Sequence, residues 1–189
     1  RPAELAEVDG LVIPGGESTT IDKLSRIFGL REPIRERIAA GMPVLGTCAG
    51  LILLADRIVD GLPDQETFGG LDVTVHRNAF GSQLDSFETD LDMPAVTDEP
   101  VHAVFIRGPV VEEVGPRATA LATLPDGRCV AVEQGNLIGI AFHPEVAGEP
   151  RDRPPKPRDQ TTPGCVVIEI AELLKDRRRR HPVGRHRVP

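Results

Sequence analysis

A short apolar strand that runs directly into an apolar helix is the feature that most constrains this fold. Residues 43–47 (Pro-Val-Leu-Gly-Thr) predict a strand, Cys48 follows at once, and residues 49–56 predict a buried helix. An earlier apolar strand at residues 10–13 is separated from this one by helical segments. Because parallel strands need a crossover connection, the sequence predicts an α/β fold with a mostly parallel central sheet.

The connection between the two strands begins with a glycine-rich turn. Residues 14–20 (Pro-Gly-Gly-Glu-Ser-Thr-Thr) end in hydroxyl side chains that are suited to capping a helix. Ile21, Leu24, Ile27 and Phe28 then recur at helical spacing. The sequence therefore predicts a helix immediately after the turn.

The chain becomes strand-rich after residue 70. Six short runs of strand-forming residues are separated by turn residues, which predicts a layer of added β-strands on the α/β core. Asp126-Gly127 and Gly135-Asn136 are dipeptides typical of hairpin turns. The predicted strands are residues 71–75, 86–91, 101–106, 118–124, 129–134 and 137–142.

Length and charge indicate one domain followed by a segment of different character. The chain has 189 residues, of which 40% are hydrophobic, enough for one globular core. We expect residues 1–146 to form this domain and residues 147–189 to form a Pro- and Arg-rich tail that is largely disordered. The tail holds 11 basic and 6 acidic residues, against 11 and 23 in the remainder. An acidic body of this kind is a poor partner for nucleic acid.

Several sequence features favour a cytoplasmic protein. No apolar run approaches the ~18 residues that a membrane-spanning helix needs, and no secretory signal opens the sequence. The three cysteines are widely spaced and odd in number, which argues against a disulfide framework. We therefore expect neither a membrane nor a nucleic-acid partner.

Cys48 lies in the sequence context of a catalytic nucleophile. Residues 46–50 (Gly-Thr-Cys-Ala-Gly) join a strand to a helix through small residues, as a nucleophile elbow does. The start of a helix favours thiolate over thiol, because its backbone N–H groups and dipole stabilise negative charge. The alternative is a buried structural cysteine, which is the interpretation we give to Cys129 and Cys165.

His143 and Glu145 form the second candidate group. The tripeptide His-Pro-Glu follows an apolar strand, and residues two apart in an extended chain face the same side. His143 could therefore take a proton from Cys48 while Glu145 orients the imidazole. The alternative is an exposed histidine beside a surface glutamate. His76 and His102 lack such a setting, and we expect them at the surface or at strand edges.

The glycine-rich turn is the third candidate group. Bare backbone N–H groups at a Gly-Gly turn can approach a ligand closely. The N–H of Gly16 and the N–H of Ala49, which follows the nucleophile, could together stabilise an oxyanion. The alternative is an ordinary turn capped by Ser18 or Thr19.

These three motifs occur in the order Pro-Gly-Gly-Glu-Ser, Gly-Thr-Cys-Ala-Gly and Phe-His-Pro-Glu, and they resemble the class I (triad) glutamine amidotransferases. Residues 77–81 (Arg-Asn-Ala-Phe-Gly), 85–88 (Asp-Ser-Phe-Glu) and 104–107 (Val-Phe-Ile-Arg) narrow the resemblance. They are similar to the family of glutaminase subunits of pyridoxal 5′-phosphate synthase. The resemblance covers roughly residues 1–146 and implies a three-layer fold.

The resemblance also implies a reaction and a set of residues. The enzyme would hydrolyse L-glutamine with the catalytic residues Cys48, His143 and Glu145 and pass ammonia to a barrel-shaped synthase subunit that makes pyridoxal 5′-phosphate. It would need no metal and no bound cofactor. The implied glutamine contacts are Gly16, Glu17, Ser18, Arg77, Ile106 and Arg107. An arginine suits the substrate α-carboxylate, and either Arg77 or Arg107 fits that role.

Two departures from the family leave other functions open. The sequence lacks the strand, loop and helix with which the family begins, and its Pro- and Arg-rich tail replaces a closing amphipathic helix. One alternative is therefore a degenerate, non-catalytic subunit that binds a synthase. Others are the glutaminase of a different synthase, such as that of histidine synthesis, and a small cysteine hydrolase on a related fold.

Overall fold

The computed structural model describes residues 1–77, 79, 86–144 and 146. In this part of the chain four helices surround a sheet of eight strands, and two further strands form a separate sheet. The helices are α1 (Pro2–Glu7), α2 (Ser18–Ile27), α3 (Arg31–Ala39) and α4 (Ala49–Leu54). The strands are β1 (Leu11–Ile13), β2 (Val44–Thr47), β3 (Ala55–Val59), β4 (Leu71–His76), β5 (Phe87–Leu91), β6 (Val101–Phe105), β7 (Val110–Val114), β8 (Thr119–Thr123), β9 (Cys129–Gln134) and β10 (Leu137–Ile140).

The main sheet has the order β1-β2-β10-β9-β7-β4-β3, with β8 paired to β9. Strands β1, β2 and β10 are parallel to one another, as are β3 and β4. The other pairings, of β9 with β10, β7 and β8 and of β7 with β4, are antiparallel. The predicted α/β class with added strands is confirmed, and the sheet is more evenly mixed than the sequence predicted.

The predicted unit of strand, helices and parallel strand lies at one side of this sheet. Strand β2 is buried along its whole length, between β1 and β10. Every residue of α4 is buried as well. Continuous apolar runs are expected where both faces of a strand are covered. The apolar residues of the two segments therefore place Cys48 between two buried elements.

Some boundaries differ from the sequence predictions. The predicted helix over residues 49–56 ends at Leu54, because Ala55 already pairs with Leu71 in strand β3. Strands β3 and β7 and helix α1 were not predicted. The six predicted strands after residue 70 are all present, with ends that differ by up to two residues. Residues 147–189 and their predicted disorder lie outside the described part of the chain.

Helix α2 is confirmed, but its buried face is polar. Ser18, Asp22 and Ser25 are buried in it, whereas the side chains of Ile27 and Phe28 are each 63% exposed. Asp22 accepts hydrogen bonds from Arg26 and from the backbone N–H of residue 66. The bond with Arg26 lies within the helix, whereas hydrogen bonds from Gln65 to Ser18 and from residue 66 to Asp22 attach it to the loop before β4.

No helix in the described residues is long and apolar enough to cross a bilayer.

The small sheet of β5 and β6 is joined to the core by aromatic contacts. The ring of Phe105 stacks on Phe87 at 4.6 Å and meets the edge of Phe142 at 5.7 Å. Since Phe142 directly precedes His143 in the sequence, these rings connect the small sheet with the chain around that histidine.

His102, on β6, lies between two carboxylates of β5. Its Nδ1 is 2.9 Å from Asp90 Oδ1, and its Nε2 is 3.0 Å from Glu88 Oε2. The hydrogen bond with Asp90, followed by that with Glu88, raises the pKa of His102, because both stabilise the imidazolium. His76, on β4, lies between two carboxylates in the same way, and its pKa is also raised.

These two histidines give the fold a stability that depends on pH. A pKa raised by folding contributes stability that is complete below the unfolded value of about 6.5 and is lost as the pH rises through the folded value. We therefore expect the urea midpoint to fall as the pH rises above about 6.5. The double variant His76→Gln, His102→Gln should show a smaller fall when unfolding is followed by circular dichroism. An equal fall in both proteins would contradict this assignment.

Candidate functional site

Cys48 occupies a strained turn between β2 and α4. Its backbone has φ 48° and ψ −102°, a left-handed φ that non-glycine residues rarely adopt. The backbone N–H of Cys48 donates to the carbonyl of Ile140 at 2.8 Å, and its own carbonyl accepts from the N–H of Leu51 at 3.1 Å. Strain of this kind persists only where the surroundings enforce it. The predicted elbow is therefore present.

Close backbone packing enforces this turn. A Cβ atom added to Gly46 would lie 2.5 Å from the carbonyl carbon of Gly50. A Cβ atom added to Gly50 would lie 2.1 Å from the carbonyl oxygen of Ile13, on β1. Glycine is required at both positions because the obstacle is backbone, which cannot move aside like a flexible side chain. The small residues that the sequence places around Cys48 thus have a direct structural role.

Gly50→Ala should destabilise the protein by about 1–3 kcal/mol, the usual cost of forcing extra atoms into a packed core. Urea unfolding followed by circular dichroism measures this loss. Gly61→Ala is the matched control, because its Cβ would meet ordinary contacts of 3.4 Å or more. Equal stabilities of the two variants would mean that α4 can move away from β1 freely.

His143 follows β10 and lies beside the elbow. Its backbone N–H donates to the carbonyl of Val104, on β6, at 2.9 Å, and its side chain is half-buried. The fully buried Ala141 and Phe142 precede it. The chain is thus fixed at His143 and at the two residues before it. Glu145, predicted to orient that ring, lies outside the described residues, and its role stays a prediction.

Gly15 shows how close the imidazole and the cysteine are. A Cβ atom added to Gly15 would lie 2.4 Å from Cε1 and 3.0 Å from Nδ1 of His143. The same point is 3.5 Å from Cβ of Cys48. The ring and the carbon that carries the sulfur therefore face the same glycine. The sequence indicates the N–H groups of this turn, but not the gap that Gly15 leaves between the two side chains.

The N-terminus of α2, which follows this turn, is capped by a different residue from the ones suggested by the sequence. Glu17, and not Ser18 or Thr19, is the N-cap of α2, and its carboxylate accepts from the N–H and the hydroxyl of Thr19 at 3.4 and 2.9 Å. Gly16 has φ 140°, a conformation that favours glycine. Ala49, whose N–H is the other predicted oxyanion donor, is buried at the first position of α4.

Arg77 comes to this turn from the end of β4. Its Nη2 donates to Glu17 Oε1 at 2.9 Å, and its Nη1 donates to Gln65 Oε1 at 2.8 Å. The side chain is only 11% exposed. Its Nε is buried and has no hydrogen-bond partner among the described residues. Arg77 was predicted from the sequence, whereas Gln65 was not.

Ile106 and Arg107 lie just beyond β6, the strand whose Val104 holds His143. Both side chains are exposed, and Arg107 has a left-handed φ of 48°. The structure thus brings the glycine-rich turn, the cysteine, the histidine and Arg77 together, and it puts Ile106 and Arg107 on the adjoining strand end. Within the described ranges, no group of three or more His, Cys, Asp or Glu side chains could hold a metal ion.

Cys129 is the first residue of β9 and differs from Cys48 in its surroundings. Its thiol contacts the carbonyl of Ala131 at 3.5 Å. Burial raises the pKa of Cys129, because an apolar environment disfavours the thiolate. This thiol is therefore poorly suited to nucleophilic chemistry, in agreement with its structural interpretation.

Comparisons with known proteins agree with the motifs. The SNO glutamine amidotransferase family matches residues 1–152. The pyridoxal 5′-phosphate synthase subunit PdxT of Leifsonia xyli is 66% identical over 151 residues, which are 80% of this chain and 76% of that protein. The PdxT of Kineococcus radiotolerans is 60% identical over 157 residues, with the same shares.

Solved structures agree as well. A crystal structure of a glutamine amidotransferase is 38% identical, has a TM-score of 0.77, and aligns over 93% of this chain and 84% of its own. A glutamine amidotransferase from Thermotoga maritima, at 16% identity and a TM-score of 0.54, covers 95% of this chain and 68% of its own and supports the fold alone. The resemblance inferred from the motifs is confirmed, and the chain belongs to the SNO glutamine amidotransferase family.

Proposed function

We propose that this chain is the glutaminase subunit of a pyridoxal 5′-phosphate synthase, acting in vitamin B6 biosynthesis. It hydrolyses L-glutamine to L-glutamate and ammonia and supplies the ammonia to a synthase subunit. The names of its PdxT relatives support the pathway. The observation that carries the chemistry is that Cys48 and the imidazole of His143 both lie within 3.5 Å of one point beside Gly15.

The first half of the reaction makes a covalent intermediate. The sulfur of Cys48 attacks the side-chain amide carbon of glutamine, and His143 takes the thiol proton. The N–H groups of Gly16 and Ala49 donate to the resulting oxyanion. His143 then gives its proton to the leaving nitrogen, the C–N bond breaks, and ammonia departs. A glutamyl thioester remains on Cys48.

The second half regenerates the enzyme. His143 takes a proton from water, and the oxygen attacks the thioester carbon through a second oxyanion at the same N–H groups. The C–S bond breaks, glutamate leaves, and the proton returns to the sulfur. Glu145 orients the imidazole and stabilises its charged form in both halves. None of these steps needs a metal or a bound cofactor.

The substrate is held by the charged groups around the elbow. The α-carboxylate of glutamine binds an arginine, Arg77 or Arg107, because a guanidinium matches a carboxylate in shape and charge. Glu17, whose side chain is 61% exposed, suits the α-ammonium group. The backbone of the turn at Gly16 and Ser18 and the exposed Ile106 complete the contacts.

The chain works in the cytoplasm as part of a hetero-oligomer with a barrel-shaped synthase subunit. Residues 1–146 form the glutaminase domain, and residues 147–189 form a tail outside it. The relatives are named as subunits of a synthase, which supports a partner for this chain.

One assay tests the proposed function. Ammonia and glutamate formation from L-glutamine is measured for the full chain, alone and with the synthase subunit of a close relative such as the Leifsonia xyli enzyme. We expect hydrolysis in the presence of the partner. If the folded chain binds the partner but releases no ammonia, the proposal is wrong and a non-catalytic docking subunit replaces it.

A further inference from the structure

The side chain of Gln65, in the loop between β3 and β4, uses both ends of its amide. Its Nε2 donates to the hydroxyl of Ser18 at 3.0 Å, and its Oε1 accepts from Nη1 of Arg77 at 2.8 Å. A guanidinium has only donors, so the amide oxygen must face Arg77 and the amide nitrogen must face Ser18. The N–H of Gln65 donates to the carbonyl of Leu62 at 3.0 Å, which fixes the loop.

This contact determines the direction of the Ser18 hydroxyl. A serine hydroxyl has one proton to donate and lone pairs that accept. Because one lone pair accepts from Gln65, the proton of Ser18 remains available for another acceptor. Ser18 is only 2% exposed and stands at the start of α2, directly after the proposed oxyanion turn. A substrate carboxylate or amide oxygen is the acceptor that this hydroxyl suits.

The same contact holds Arg77 in place. Nη1 is bound by Gln65 and Nη2 by Glu17, so the plane of the guanidinium is fixed at two points. The amide of Gln65 is neutral and orients Arg77 without cancelling its charge. Nε is buried and has no hydrogen-bond partner among the residues described.

We infer that Gln65 is a positioning residue for glutamine binding, which holds the Ser18 hydroxyl as a donor and the Arg77 guanidinium as an oriented cation. The inference rests on the proposed glutaminase function. Gln65 acts through these two side chains and does not touch the reacting atoms. It therefore sets the affinity for glutamine, while the chemical step at Cys48 is independent of it.

The variant Gln65→Glu tests the direction of these bonds. A carboxylate keeps the acceptor for Arg77 but cannot donate, so the Ser18 hydroxyl must turn its own proton towards the new side chain. With the synthase partner present, we expect KM for L-glutamine to rise about five- to tenfold, the effect of losing one hydrogen bond. The value of kcat should stay within about twofold.

Further variants separate the rise in KM caused by the Gln65–Ser18 hydrogen bond from other effects of changing this loop. Gln65→Met keeps the side-chain volume, removes both bonds and should raise KM at least as far. Asp64→Asn changes an exposed residue of the same loop and should leave KM unchanged. In a Ser18→Ala background, Gln65→Glu should raise KM by a smaller factor than it does in the wild type, because the bond it reverses is already gone and only the effect of its charge on Arg77 remains.

Alkylation of Cys48 by iodoacetamide in the absence of glutamine is the structural readout, and its rate should be the same in all variants. If KM stays within twofold of the wild type in both Gln65 variants, or if kcat falls while KM is unchanged, the inference is overturned and the glutaminase function stands. If the wild type itself does not hydrolyse glutamine with the partner, both proposals fail together. Should Gln65→Met unfold, Gln65→Glu alone decides.

Discussion

Cys48→Ala is expected to reduce glutamine hydrolysis by about 10³-fold or more, because the covalent route needs the sulfur and no neighbouring group can replace it. Alanine is smaller than cysteine and carries no new polar group, so the elbow should keep its backbone conformation. The variant should still bind glutamine. Ammonia release with the synthase partner and glutamine binding by isothermal titration calorimetry measure the two properties separately.

Cys129→Ala is the matched control for this experiment. It removes a thiol of equal exposure, 8% in both cases, from the start of β9, outside the turn that joins β2 to α4. The pKa of this thiol is raised by burial, so its loss should leave kcat within about twofold of the wild type. A Cys48→Ala protein that retains more than a tenth of the activity would exclude the proposed nucleophile.

Gly15→Ala is expected to lower kcat by about 10²-fold, although it changes no reacting group. The new methyl carbon would lie 2.4 Å from Cε1 of His143, so the ring must move away. A displacement of about 1 Å at a catalytic group can cost this factor, because proton transfer depends on hydrogen-bond distance. Steady-state kinetics with the partner measures kcat, and urea unfolding measures stability.

The stability measurement shows whether the loss is local. His143 is half-buried and can yield, so the free energy of unfolding should fall by no more than about 3 kcal/mol, the upper part of the usual range for overpacking. Gly61→Ala, where ordinary contacts await the new carbon, should keep full activity. Full activity of Gly15→Ala would show that the imidazole does not need the position seen beside the turn.

The sequence was most informative where local pattern and burial agree. The segment from β2 through Cys48 to α4 was predictable because continuous apolar runs and small residues at a turn permit few other structures. Strand β3 was missed because its first residue, Ala55, continues the apolar run of α4, and only pairing with Leu71 ends the helix there. Strand β7 contains two adjacent glutamates that mask its character.

In the candidate site, too, the residues that could be predicted are those with a local sequence pattern around them. Cys48 and His143 were predictable because each directly follows an apolar strand, and strand ends collect functional groups. Gln65 was not predictable, because its role depends on contacts with Ser18, 47 positions earlier, and Arg77, 12 positions later. No local motif surrounds it. The clearance that Gly15 provides for the imidazole likewise depends on two segments that are distant in sequence.

The buried face of α2 is polar and that of α4 is apolar, so the two helices that carry the site are held to the core differently. Helix α4 is surrounded by apolar atoms and backbone, and moving it would open the core. Helix α2 buries mainly polar side chains, is hydrogen-bonded to the loop before β4 through Ser18 and Asp22, and leaves Ile27 and Phe28 largely exposed, so it contributes less apolar burial than α4. The thiol of Cys48 therefore lies at the start of the more firmly packed helix, α4. The turn at Gly16 lies at the start of the more easily displaced helix, α2. A glutamine that binds here would contact a nucleophile of fixed position and a glycine-rich turn whose position can adjust to it.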